Sequence, residues 1–315
     1  MNKLKVCFVG IGSIAKRHIK NLSEICNSQN IDLVVDALRS GGNHKLDETI
    51  EGSITNVYHN QNDLPDDYDV IFITNPTDFH IETLKNVHSK AKHFFIEKPI
   101  TSYKNLETVL DVQYRENSVY YVACPLRYTN VIQYLMDNID INKVISVRCI
   151  SSSYLPDWRP GIDYRNTYSA HKDLGGGVSI DLIHEWDYIQ YLFGKPEKIL
   201  YLAGKKSNLE IDCEDYAYYI ADYKDKVVEL HLDYFGRKTI REIMLFMEDD
   251  TVIGDLTNSK VTYLKSGQTI DFSEERNDFQ KKELVYFLSL LDGHVGKNFS
   301  YEAYNTMNFT QGVVK

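Results

Sequence analysis

The chain has 315 residues, 43% hydrophobic and 25% charged, which is the mixture of a globular protein with room for two domains. A formal net charge of −10 with no run of Lys or Arg argues against a surface for nucleic-acid phosphates or anionic membranes. No apolar stretch approaches the ~18 residues of a transmembrane helix. The short N-terminal apolar run leads straight into a glycine turn, so a cytoplasmic protein is expected.

In chain order, "LKVCFVG" is a near-continuous apolar run, the pattern of a parallel strand buried on both faces. A helical stretch from Ile14 to Cys26 follows, then the strand "DLVVDAL". "YDVIFITNP" is the next buried strand, and Asp78 is the expected N-cap of a helix over Phe79–Ser89. "KHFFIEKPI" is another strand, followed by a predicted helix over Tyr103–Asn117 and the strand "VYYVAC". This alternation predicts an α/β domain over residues 1–123 with a doubly wound parallel sheet, its ligand at the C-terminal strand ends.

After Cys124 the texture changes. A helix over about Thr129–Asn138 leads to the strand "VISVRCI", then to a Trp/Pro/Arg/Tyr-rich loop at 154–174 and a helix at 178–193. "KILYLAG", "DYAYYIADY", "VVELHLDYF" and "RKTIREIMLFME" then alternate with period two, and a helix returns near 279–292. Strands in succession predict an α+β domain over 124–315 with one large, open, mostly antiparallel sheet, a face of which suits pairing with a second copy as a dimer or tetramer. Cys7, Cys26, Cys124, Cys149 and Cys213 show no C-x-x-C or zinc spacing; they read as small hydrophobes, and no metal is expected.

The segment "FVGIGSIAKRH" carries Gly10 and Gly12 in a G-x-G-x-x-A pattern, with Ala15 at the third position. The first glycine permits the tight turn and the second lets backbone approach a pyrophosphate. The N–H groups of the helix opening at Ser13 and Ile14 favour its charge. The cofactor selector sits at the tip of "IDLVVDALRSGG", and two registers are open. If the strand stops at Val35, Asp36 faces a ribose 2′-OH and favours NAD. If it runs through Leu38, Arg39 and Ser40 occupy the tip and favour NADP; the Gly41–Gly42 break leans to this second register.

"FITNPTDFH" followed by "FFIEKPIT" resembles the glucose–fructose oxidoreductase / inositol dehydrogenase (Gfo/Idh/MocA) family, a likeness that extends through "GGGVSIDLIHEWDYIQYLFG". The resemblance implies an N-terminal Rossmann domain and a C-terminal open-sheet domain carrying the substrate site. It sets Thr74, Asn75 and Pro76 against the nicotinamide ribose, His80 on a recurrent histidine, and Glu97, Lys98 and Pro99 on an E-K-P trio whose lysine lies near the nicotinamide and the reacting carbon, so that Lys98 also contacts the cofactor. His184 and Asp187 match an H-x-x-D helix. Arg127 in "LRYTN" matches an R-F/Y-x-P segment, with Asn130 in place of its proline.

Hydride transfer at a secondary alcohol needs an acceptor for the hydroxyl proton. Lys98 at a strand end supplies a cation for the reacting oxygen, and His184 titrates in the range of a proton relay. Asp181, three residues before His184 on the expected helix, shares its surface and would orient the imidazole; the family's aspartate lies one residue earlier, where this chain has Ile180. Trp158, Arg159, Tyr164 and Arg165, with Arg127 and Asp187, are the candidate contacts to a sugar, polyol or nucleotide-linked sugar. The same apparatus also fits reduction of an imine or non-sugar carbonyl, and the fold also serves dinucleotide sensing without turnover. A sensor, however, has no use for Lys98, Asp181 and His184 together.

Overall fold

The computed structural model describes residues 2–39, 41, 48–293 and 296–315. The chain forms two compact units: residues 1–123 with 280–304, and residues 124–279 with 305–315.

The first unit is built on a sheet of β1 (Lys3–Val9), β2 (Asp32–Leu38), β3 (Asn56–Tyr58), β4 (Tyr68–Ile73), β5 (Ala91–Ile96) and β6 (Tyr120–Val122). Their order is β3-β2-β1-β4-β5-β6, with every pair parallel. This is the doubly wound order, whose direction reverses between β1 and β4 and opens a crevice at their C-terminal ends. The helices of the unit are α1 (Ser13–Ser28), α2 (Glu48–Glu51) and α3 (His80–Val87). α1 buries Ala15, Ile19, Leu22 and Cys26 at helical spacing, so its inward stripe packs on the sheet. Phe8 stacks on Phe72 at 4.5 Å between ring centroids, and Phe72 on Phe95 at 5.0 Å. Each such ring, taken from water, stabilises the layer by about 1.5–3 kcal/mol.

Two local expectations fail here. Asp78 caps nothing: α3 starts at His80 without a side-chain cap, while Lys104 Nζ donates to Asp78 Oδ2 at 2.5 Å. The helix expected over 103–117 is a 3-10 segment, Tyr103–Val109, only. Tyr114 instead packs edge-on against Tyr120, and Arg115 Nη2 donates to the carbonyl of Ala91 at 2.7 Å. Those tertiary contacts draw the chain onto the sheet and override local helix propensity.

The second unit contains β7 (Val144–Tyr154), β8 (Lys198–Gly204), β9 (Tyr216–Asp222), β10 (Val227–Asp233), β11 (Phe235–Met247), β12 (Thr251–Asp255), β13 (Lys260–Tyr263) and β14 (Thr269–Asp271). They form one sheet in the order β14-β13-β12-β11-β7-β10-β9-β8, antiparallel except for the parallel β7–β10 pair. The helices are α4 (Asn130–Asn138), α5 (Val178–Asp181) and α6 (His184–Phe193), followed by α7 (Arg276–Leu291) and α8 (Ser300–Phe309), in both of which the chain passes between units. Strands β12–β14 and helix α8 extend beyond the sequence expectation.

Val131, Leu135, Trp186 and Ile189 from the helices share one core with Val147, Leu230, Ile243 and Leu245 of the strands. On the opposite strand faces Leu200, Leu202, Tyr218 and Ile220 remain exposed. The helix expected over 178–193 is broken: Leu182 leaves helical geometry (φ −97°, ψ 34°) between α5 and α6. All five cysteines are buried thiols; burial raises Cys7 to about 12 and Cys26 to about 11, which makes them inert as nucleophiles. Among the described residues, no helix is long and apolar enough to cross a membrane.

Candidate functional site

The glycine turn lies at the switch point of the first sheet. Gly10 has φ +87°, and a Cβ there would come within 2.7 Å of Asn75 Cα, so both conformation and packing demand glycine. Gly12 is different. Its φ of −84° suits any residue, and a Cβ would meet no protein atom within 4 Å. The open space before it is the kind of cradle a pyrophosphate needs. α1 starts just beyond, with no side-chain cap and no acidic residue in its first turn, so the N–H groups at Ser13 and Ile14 face an anion without competition from a carboxylate. The residues present therefore fit a dinucleotide.

The strand register resolves which residue occupies the tip. β2 runs through Leu38, and Asp36 lies inside it, paired with Cys7 on one side and Asn56 on the other. Its carboxylate is 1% exposed. Oδ1 accepts from the backbone and side-chain amides of Asn56 at 3.1 and 2.9 Å, and Oδ2 accepts from the Tyr68 hydroxyl at 2.8 Å. Asp36 is thus a structural acceptor. Arg39 stands at the tip, its N–H bonded to the carbonyl of Tyr58; Ser40 lies outside the described residues.

Across the crevice, the Thr74 hydroxyl is 2.7 Å from the Gly10 carbonyl oxygen and fastens the loop after β4 to the glycine turn. Asn75 Nδ2 donates to Thr83 Oγ1, and Pro76 opens the 3-10 turn before α3. His80 is buried, with Nε2 2.8 Å from the Asn75 carbonyl and Nδ1 3.0 Å from the Pro99 carbonyl. Burial holds the His80 pKa below the usual histidine value, against those carbonyls and the Glu97 charge. Glu97 follows β5 and is itself buried, with Oε1 2.5 Å from Nε2 of His18 on α1. Burial raises its pKa, but the His18 hydrogen bond and nearby positive charge outweigh this and hold the carboxyl below its ordinary range. Lys98, next in sequence, is half-buried. The sequence reading missed His18, although it ends the segment quoted above. The available signal was a polar residue on the inward stripe of α1.

In the second unit, Asp181 ends α5 and His184 opens α6, so the two stand at the facing ends of separate helices and not along one continuous helix. Asp181 Oδ2 accepts from the buried Tyr234 hydroxyl at 2.6 Å. Burial and the Asp181 charge raise Tyr168 to about 12 and push Tyr234 well above the phenol value, so both hydroxyls stay protonated as donors. Trp158 packs edge-on against Tyr234 at 5.3 Å and donates through Nε1 to Ser153. The Arg159 guanidinium lies over the Tyr168 ring at 5.2 Å. The structure therefore gathers Trp158, Arg159 and Asp181 around two tyrosines the sequence had not singled out.

The other candidates are held elsewhere. Arg127 donates from Nε and Nη2 to the two carboxylate oxygens of Asp187 at 2.8 and 2.7 Å, and its guanidinium stacks over Tyr191. Arg165 pairs with Asp163 and Glu210 on the exterior, and the Tyr164 hydroxyl accepts from the backbone of Glu210.

A doubly wound sheet with a phosphate-ready glycine turn, a lysine beyond β5 and a second unit built on an open sheet defines a dinucleotide-binding oxidoreductase scaffold. Residues 4–124 match the family profile described as "Oxidoreductase family, NAD-binding Rossmann fold", and residues 131–241 match the GFO/IDH/MocA C-terminal domain. The chain belongs to the Gfo/Idh/MocA family of oxidoreductases. It is 26% identical over 204 residues to the uncharacterized oxidoreductase YrbE of Bacillus subtilis, a match spanning 62% of this chain and 55% of that relative. Among solved structures, levoglucosan dehydrogenase in complex with NADH superposes with a TM-score of 0.83 at 15% identity, covering 99% of this chain and 96% of the other. UDP-N-acetylglucosamine 3-dehydrogenase GnnA from Acidithiobacillus ferrooxidans superposes at 0.78 with 17% identity, covering 99% and 96%.

Proposed function

We propose that the protein transfers hydride between a nicotinamide dinucleotide and a CH–OH carbon of a sugar, polyol or nucleotide-linked sugar. The observation that carries this reading is the open cradle at Gly12, in a turn fastened through Thr74 to the loop after β4, which His80 in turn ties to Pro99 beside Lys98. Gly10, Gly12, Ser13 and Ile14 hold the pyrophosphate, and Thr74, Asn75, Pro76, His80 and Glu97 frame the nicotinamide end. The bound dinucleotide supplies the hydride acceptor or donor. The Lys98 ammonium polarises the reacting oxygen, and the His184 imidazole takes or returns the hydroxyl proton. Asp181, braced by Tyr234, accepts hydrogen bonds from substrate hydroxyls and Tyr168 donates to them, beside the stacking surface of Trp158. The substrates for which levoglucosan dehydrogenase and GnnA are named support a carbohydrate-like class. Five buried thiols fit a reducing, cytoplasmic compartment.

NADP is the favoured form, because Asp36 is committed inside the sheet and Arg39 stands at the strand tip. Titration of the protein with NADPH and NADH, followed by tryptophan fluorescence or calorimetry, checks this. NADPH should bind at least about 10-fold tighter, and Arg39→Ala should remove most of that margin. Tighter NADH binding in the native protein would reverse the preference, and binding of neither would remove the oxidoreductase reading.

The exposed Leu200, Leu202, Tyr218 and Ile220 lie on strands β8 and β9 of one continuous sheet, next to an Arg148–Glu229 pair on β7 and β10. An apolar strip with both charge signs beside it suits self-association, so we include a homo-oligomer in the proposal. Sedimentation should give a dimer or tetramer, and Leu202→Lys should shift it toward monomer. A monomeric native protein at micromolar concentration would sink this element.

A further inference from the structure

Position 18 belongs to the buried stripe of α1, between Ala15 and Ile19 on one side and Leu22 on the other. A hydrophobe is the expected occupant. Instead His18 is 1% exposed, with its ring edge-on to Phe95 at 5.1 Å and tilted against Phe72 at 6.2 Å. Nε2 reaches Glu97 Oε1 at 2.5 Å, whereas Nδ1 is buried without a hydrogen-bond partner among the described residues. Replacing such a pair by apolar groups is often neutral or stabilising, so fold stability alone does not account for it. The orphaned nitrogen points the same way, because a purely architectural histidine ordinarily satisfies both ring nitrogens.

The pair does have a geometric consequence. Glu97 Oε2 accepts the backbone N–H of Lys98 at 3.2 Å. One carboxylate therefore joins the helix that starts at the glycine turn to the peptide that carries the lysine. On the other side of Lys98, the Pro99 carbonyl lies against Nδ1 of His80, whose Nε2 faces the loop after β4. Lys98 is thus held from both flanks, with its amine free to move only from Cα outward.

We propose that His18 is a positioning residue: through Glu97 it fixes the Lys98 backbone, and so the reach of its amine, relative to the glycine turn. The inference rests on the reading of Lys98 as the group that polarises the reacting oxygen. A misplacement of about 1 Å at such a group is worth up to about 100-fold in rate.

The test uses three variants of the full chain. His18→Leu removes the pair but leaves a buried, unpaired carboxylate, which endangers folding. His18→Leu/Glu97→Gln removes the imidazole together with the carboxylate charge and keeps the volume, and His18→Gln keeps an N–H donor toward Glu97. For the double variant we expect kcat lower by at least about 10-fold, and for His18→Gln, which leaves Glu97 in place, KM and the dinucleotide Kd within about 3-fold of native. His18→Gln should recover most of kcat. Independently of any substrate, the rate at which an amine-reactive reagent labels Lys98, read by peptide mass spectrometry, should rise several-fold in the double variant, with the other lysines unchanged. Native kcat and native Lys98 labelling in the double variant would overturn the proposal. So would a loss of dinucleotide binding in His18→Gln, which would place His18 in the cofactor site and not behind Lys98. Should the native protein turn over no carbohydrate, the oxidoreductase reading falls by itself, and the labelling arm still decides the role of His18.

Discussion

Lys98→Met should abolish turnover, lowering kcat by about 10³-fold, while leaving the dinucleotide Kd within about 3-fold of native. Methionine keeps the unbranched stem and its packing and removes only the charge and the donor. The pyrophosphate cradle proposed at Gly10–Ile14 is backbone, which Lys98→Met leaves in place, so cofactor binding and chemistry should separate. Lys98→Arg is the sharper control. It restores the charge on a longer, planar group, and a site that needs a compact ammonium at one oxygen should regain little of the loss. Steady-state kinetics on a polyol and sugar panel, paired with NADPH titration of each variant, give both quantities. Full turnover in Lys98→Met would remove the residue from the chemistry, and joint loss of binding would reassign it to the cofactor.

The first unit was legible because parallel strands buried on both faces carry long apolar runs, as β1 does over Val6–Val9, β4 over Val70–Ile73 and β5 over Phe94–Ile96. The glycine turn and the E-K-P segment were legible for a related reason: strand ends at a switch point face the ligand, so polar residues there stand out. Asp36 shows the limit. One carboxylate near a strand end reads equally as a ribose acceptor or a sheet brace, and the choice depends on Asn56 and Tyr68, far away in sequence. The break at Leu182 was equally hidden, because an unbroken apolar stripe continues through it while Tyr234, about fifty residues on, binds Asp181. His18 was visible as an oddity on the α1 stripe, but its partner Glu97 is 79 residues distant. Long-range polar pairing is what a linear pattern does not carry.

That lesson applies most directly to Asp187, which the sequence offered as a substrate contact and the structure pairs with Arg127. Both side chains are largely buried, at 8% and 16% exposure, and the fork of the guanidinium meets both carboxylate oxygens. Removing one partner leaves a poorly solvated charge. Asp187→Ala is therefore expected to destabilise the protein by about 3 kcal/mol, visible as a fall in Tm of roughly 6–12 °C. The double variant Arg127→Met/Asp187→Leu should recover much of that loss, since packed apolar side chains replace a buried ion pair at little cost. A substrate contact behaves in the opposite way: Asp187→Ala would raise KM sharply while Tm stayed near native, and the double variant would repair nothing. Differential scanning calorimetry of the three proteins distinguishes the two without knowledge of the substrate. A large Tm loss in Asp187→Ala with recovery in the double variant makes the pair a tie between α6 and the 3-10 turn at Pro125–Tyr128, and leaves substrate choice to the cluster of Trp158, Arg159, Tyr168, Asp181 and Tyr234.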